Sequence, residues 1–91
     1  MLQEVFGVEI LLVEDEVSIG DVLQTYFRNE GWNVHVSRNG LDALKLVRSM
    51  KFDFVILDLM LPGIAGEDVC RNIRQFSKVP IIMLTSKAHE S

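Results

Sequence analysis

Short, near-continuous apolar runs alternate along this chain with stretches in which apolar residues recur every third or fourth position. Val8-Glu9-Ile10-Leu11-Leu12-Val13 and residues 53–57 are runs of the first kind, and each predicts a strand buried on both faces. Trp32-Asn33-Val34-His35-Val36 is a short β-rich segment, and Pro80-Ile81-Ile82-Met83-Leu84 predicts a fourth strand with proline at its first position. Between them, Ile19, Val22, Leu23, Tyr26 and Phe27 form one apolar stripe of a helix beginning near Val17 and stopped by Gly31. Leu41, Leu44, Val47 and Met50 mark one face of a second helix after Asn39-Gly40, while Val69, Ile73 and Phe76 mark a third after the turn residues Leu61-Pro62-Gly63.

The predicted order is β-α-β-α-β-α-β, which implies a parallel sheet with right-handed crossovers. In an open α/β sheet, ligands bind beyond the carboxyl ends of the strands, where strand order reverses. Glu14-Asp15-Glu16 follows the first strand and Asp58 follows the third. In the flavodoxin-like order 2-1-3-4 these two strands are neighbours about 4.8 Å apart, so their terminal carboxylates converge. Like charges so placed either take up a proton or hold a hard cation. An oxygen-only donor set with few protein ligands suits Mg²⁺. A carboxylate beside Mg²⁺ can attack a phosphoryl group, a role for which Asp58 is placed. Thr85, just past the fourth strand, would bring a hydroxyl to the same rim, with Ser86 the weaker donor and Lys87 within reach. Read alone, Glu14-Asp15-Glu16 would serve equally as favourable charge at a helix N-terminus, with Asp15 or Glu16 as its cap. The joint placement of Asp58 favours the site. His35 reads as a polar residue on a strand rather than a ligand, and His89 as part of a polar tail.

Composition narrows the function classes. Ninety-one residues, 48% hydrophobic and 24% charged, predict one small globular domain that buries about 60–65% of its unfolded surface. A net charge of −4 provides no basic footprint for nucleic acid. Cys70 is the only cysteine and reads as a small buried hydrophobe, consistent with a reducing cytoplasm. No apolar run approaches the roughly 18 residues of a membrane span, so a soluble cytoplasmic protein is expected.

Three spaced segments resemble the receiver domain of two-component response regulators. Ile10-Leu11-Leu12-Val13-Glu14-Asp15-Glu16 resembles that family's first strand and acidic pair. Phe52 through Gly63 resembles its phosphoacceptor segment, and Pro80-Ile81-Ile82-Met83-Leu84-Thr85 its switch strand. Asn39-Gly40 with Ala43-Leu44 matches the start of the family's second helix. The resemblance implies that Asp58 accepts a phosphoryl group from a sensor histidine kinase. It further implies that Asp15 and Asp58 ligate Mg²⁺, with Glu14 acting through water and the Met60 backbone carbonyl completing the protein ligands, and that Thr85 is the switch hydroxyl. Leu59-Met60-Leu61-Pro62-Gly63 is most similar to the branch whose receivers precede a winged-helix DNA-binding domain, so a longer parent would bind DNA although this segment would not.

The resemblance covers residues 1–91 as a partial receiver, a doubly wound sheet lacking the last helix-strand-helix. With those elements go a lysine near the phosphoryl group and a switch aromatic. The expectation is therefore Mg²⁺ binding with weak phosphorylation and poor output. An exposed fourth strand and an uncovered sheet face also predict a homo-oligomer. The competing reading is a fragment or chimera piece that folds or self-associates without being phosphorylated. An aspartyl phosphatase would want a general acid shortly after the nucleophile, which Leu59 and Met60 do not offer, so no enzyme is expected. Nucleotide binding is disfavoured by the lack of G-x-x-x-x-G-K-[ST] or G-x-G-x-x-G.

Overall fold

The computed structural model describes residues 7–84. Seven elements alternate: β1 (Glu9–Val13), α1 (Val17–Asn29), β2 (Asn33–Ser37), α2 (Gly40–Ser49), β3 (Phe54–Asp58), α3 (Gly66–Arg74) and β4 (Ile81–Leu84). The strands form one sheet in the order β2-β1-β3-β4, every pair parallel, as the sequence predicts for a flavodoxin-like arrangement. β1 pairs with β3 from Ile10↔Phe54 to Val13↔Leu57, so the two strands end side by side.

The near-continuous apolar runs of β1 and β3 are explained by a sheet covered on both faces. Leu11, Val13, Val55 and Leu57 point to one side, where they meet Ala43 of α2 and Val69 and Ile73 of α3. Ile10, Leu12 and Ile56 point to the other, against Leu23 and Phe27 of α1. Two stripes are narrower than expected. Val22 and Tyr26 of α1 are 68% and 59% exposed, and Leu41 of α2 is 64% exposed. One sheet face accepts only the inner edge of each helix, so Leu23 and Phe27, or Leu44 and Val47, carry the packing. Cys70 is half-buried beside the core rather than fully enclosed.

Local chemistry matches the helix boundaries. Asn39 caps α2, its Oδ1 accepting from Asp42 N–H at 2.8 Å. Gly31 and Gly63 adopt φ of 87° and 83°, which only glycine occupies without strain, and so end α1 and turn the chain after β3. Pro80 stands just before β4, where its carbonyl accepts from Val55 N–H at 2.9 Å and its missing N–H costs nothing. Phe76 falls after α3 and packs under the Arg48 guanidinium, 4.2 Å from the ring centre.

Candidate functional site

The ladders of the sheet run one residue beyond the strands and set the site. Glu14 N–H donates to the Ser37 carbonyl at 2.9 Å, and Leu59 N–H to the Leu84 carbonyl at 2.9 Å. These bonds hold the backbone on either side of the β1 and β3 ends in sheet geometry, so Glu14 and Asp58 project from a rigid edge. Both are fully buried at 0% exposure, while Asp15 is half-buried at the rim. Glu14, Asp15 and Asp58 each bring a carboxylate oxygen to within 4.8 Å of the others. Charged side chains are almost never fully buried unless something compensates them, so two such residues in one cluster distinguish this edge from ordinary surface acidity.

Two hydrogen bonds orient the cluster, and neither has a sequence signature. Asp58 Oδ1 accepts from Met60 N–H at 3.0 Å, a local turn that ties the carboxylate to the backbone two residues on. Glu14 Oε2 accepts from Glu16 N–H at 3.0 Å, which turns its side chain back over the start of α1. Glu16 is the N-cap residue of α1, yet its side chain makes no cap hydrogen bond. At the start of α1 it is the Glu14 carboxylate that meets the Glu16 backbone N–H. Beside the cluster, an open cleft of about 470 Å³ is lined by Asp15, Leu59, Met60, Pro62 and Ala65 among others, which leaves a route in from solvent.

The expected residues are brought together in part. Glu14, Asp15 and Asp58 converge, and Met60, two residues beyond Asp58, is 54% exposed. Thr85, Ser86, Lys87 and His89 lie outside the described residues. His35 is a polar strand residue, its Nε2 3.0 Å from Glu9 Oε1 at the far end of the sheet from the cluster.

The response regulator receiver-domain model matches residues 10–91, almost the entire chain. The chain belongs to the response-regulator receiver family. Among its relatives, the DNA-binding response regulator MtrA of Mycobacterium tuberculosis is 49% identical over 78 residues, covering 86% of this chain. The match spans 34% of MtrA, so the chain corresponds to about a third of that protein's length. Among solved structures, TrrA of Thermotoga maritima in complex with Mg²⁺-BeF is 40% identical with a TM-score of 0.83, covering 90% of this chain and 72% of that one. TrrA in complex with the histidine kinase ThkA superposes with a TM-score of 0.82 at 40% identity and the same coverage. Receiver domains bind Mg²⁺ at an acidic pocket, and the all-oxygen cluster of this receiver fits such an ion: few ligands, hard donors and room for water.

Proposed function

We infer that this receiver accepts a phosphoryl group on Asp58 from a sensor histidine kinase in the cytoplasm. The observation that carries this reading is the buried Asp58 carboxylate at the end of β3, within 4.8 Å of the acids that end β1. The ThkA complex of TrrA supports the partner class. In the reaction, an Asp58 carboxylate oxygen forms a bond to phosphorus while the bond from phosphorus to the kinase histidine nitrogen breaks. The electron pair stays with the imidazole. Asp15, Asp58 and the Met60 carbonyl would hold Mg²⁺, with Glu14 acting through water, and the ion when bound would neutralise the phosphoryl oxygens. The Met60 N–H bond to Oδ1 fixes the rotation of the nucleophile, and the buried strand ends keep bulk water from its inner side. Thr85 would supply a hydroxyl to the phosphorylated state. The domain acts as a signalling acceptor rather than as a turnover enzyme. By analogy with relatives named as DNA-binding regulators, a longer parent would bind DNA through residues other than these.

Intact mass after incubation with acetyl phosphate and Mg²⁺ tests this. One phosphoryl group should add, and Asp58→Asn should abolish the addition. A folded chain that stays unmodified would refute the reading.

A second reading concerns assembly. Among the described residues β4 pairs only with β3, and its Ile82 and Met83 are 52% and 45% exposed. The 91-residue polypeptide would then self-associate by edge pairing or by burial of this face, whether or not it is phosphorylated. Sedimentation showing a monodisperse monomer at tens of micromolar would refute it.

A further inference from the structure

Gly66 opens α3 at a position where glycine has no conformational justification. Its φ is not in the left-handed region, which among the described residues only Gly31 and Gly63 occupy, and glycine within a helix costs about 0.5–1 kcal/mol relative to alanine. Space is the reason for it. A methyl carbon at Gly66 would lie 2.7 Å from Leu59 Cα and 2.8 Å from the Asp58 carbonyl oxygen, with Leu59 Cδ2 at 3.2 Å. The first two are backbone atoms, which cannot rotate away. Gly66 N–H also donates to the Leu59 carbonyl at 3.3 Å, so the helix start is seated directly on the turn after β3. That turn is the one in which Met60 N–H holds Asp58 Oδ1.

We propose that Gly66 is a positioning residue that seats the Asp58–Met60 turn at the geometry Mg²⁺ demands, and so sets the preference of the site for Mg²⁺ over Ca²⁺. This rests on the acceptor reading above. Restoring ordinary contact, from 2.7 Å to 3.4 Å at Leu59 Cα, requires a relative shift of 0.7 Å between α3 and the turn. The turn carries both the Asp58 carboxylate and the Met60 carbonyl, the two ligands assigned to β3 and its exit. Mg²⁺ requires near-ideal octahedral ligands at about 2.0–2.1 Å, with a tolerance of about 0.2 Å, whereas Ca²⁺ accepts irregular shells at about 2.3–2.6 Å. A displacement of this size exceeds the first tolerance, whereas Ca²⁺, with six to eight ligands in irregular arrangement, can take water in place of a displaced ligand. Gly40 provides the contrast. A methyl there would meet the side chains of Ile64 and Val69, not the backbone of the turn.

The test is calorimetric titration of the whole chain with MgCl₂ and, separately, CaCl₂. Wild type is compared with Gly66→Ala, and with Ile73→Val as a variant weakened in the α3 core away from the turn. Gly66→Ala should raise the Mg²⁺ Kd at least ~10-fold, the scale of losses when support behind metal ligands is disturbed. Its Ca²⁺ Kd should stay within about 3-fold, since the larger ion tolerates displaced ligands. Ile73→Val should leave the ratio of the two constants unchanged. Titrations in trimethylamine-N-oxide, which favours the compact state, keep a weakened Gly66→Ala chain folded for the measurement. If both affinities of Gly66→Ala match wild type, or both fall together, the positioning role is overturned while the acceptor reading stands. If the wild type itself fails to bind Mg²⁺, the acceptor reading fails and this inference with it.

Discussion

Replacing Asp58 with asparagine should stabilise the metal-free protein, because the acids of this site repel one another. Glu14, Asp15 and Asp58 place carboxylate oxygens within 4.8 Å. At that separation one pair of unit charges costs about 0.9 kcal/mol in a water-like medium and about 3.5 kcal/mol at an effective dielectric constant of about 20. With all three acids ionised, Asp58 takes part in two such pairs, so neutralising it removes about 2–7 kcal/mol of repulsion. Asparagine keeps an oxygen for Met60 N–H but loses the charge assistance of that bond, which costs about 1 kcal/mol. The net gain is at least ~1 kcal/mol, which for a domain of this size raises Tm by at least ~4 °C. Thermal unfolding followed by circular dichroism in EDTA is the assay. The same scans with increasing Mg²⁺ should close the gap, since a ligand at 100 times its Kd adds about 2.7 kcal/mol to a protein that binds it. Asp58→Asn, with a ligand removed, should gain much less. A variant that melts in EDTA at or below the wild-type temperature would refute the reasoning, for it would mean that the cluster is not under electrostatic load.

Other consequences follow from burial and capping. Ile73→Ala, at a fully buried position of α3, should lose about 2–5 kcal/mol in urea unfolding. By contrast Val22→Ser, on the exposed edge of α1, should stay within about 0.5 kcal/mol of wild type in the same assay. Asn39→Ala removes the acceptor for Asp42 N–H and should cost about 1 kcal/mol, read as a lower denaturation midpoint with unchanged slope.

The fold was legible where one physical requirement dominated. Strands covered on both faces must be largely apolar, and β1 carries that signature from Ile10 to Val13 and β3 from Phe54 to Leu57. Their parallel pairing brings whatever follows them to one edge, so the convergence of Glu14, Asp15 and Asp58 is legible in the sequence. Helix faces were less legible. Val22, Tyr26 and Leu41 share the period of the packed residues, but the width of the buried stripe depends on how each helix rolls on the sheet, which the periodicity does not encode. Met60 N–H bonding to Asp58 is a property of turn geometry, and any residue other than proline could supply that donor. Gly66 was silent for a related reason. In sequence it is one glycine after a turn, and its purpose emerges only when a hypothetical methyl is found to strike backbone atoms seven and eight residues earlier.

The arrangement of the site links its chemistry to its stability. Two fully buried carboxylates at strand ends carry a desolvation cost, which the Glu16 and Met60 N–H donors offset in part and a cation would offset further. A looser structure would simply let them swing into solvent. Here the Ser37 and Leu84 carbonyls pin the backbone beside each acid, and the start of α3 rests on the turn behind Asp58. With the backbone held in this way, electrostatic load can be relieved by binding or by chemistry more readily than by rearrangement. Acids that crowd one another on a fixed backbone would gain more from a bound cation than from rearrangement. It follows that substitutions loosening the backbone, at Gly66 above all, should reduce Mg²⁺ affinity while leaving the charge of the cluster untouched. Substitutions removing charge should instead stabilise the empty domain at the expense of binding. The two classes of variant therefore move stability and affinity in separable directions, a pattern that a merely exposed patch of acids would not produce.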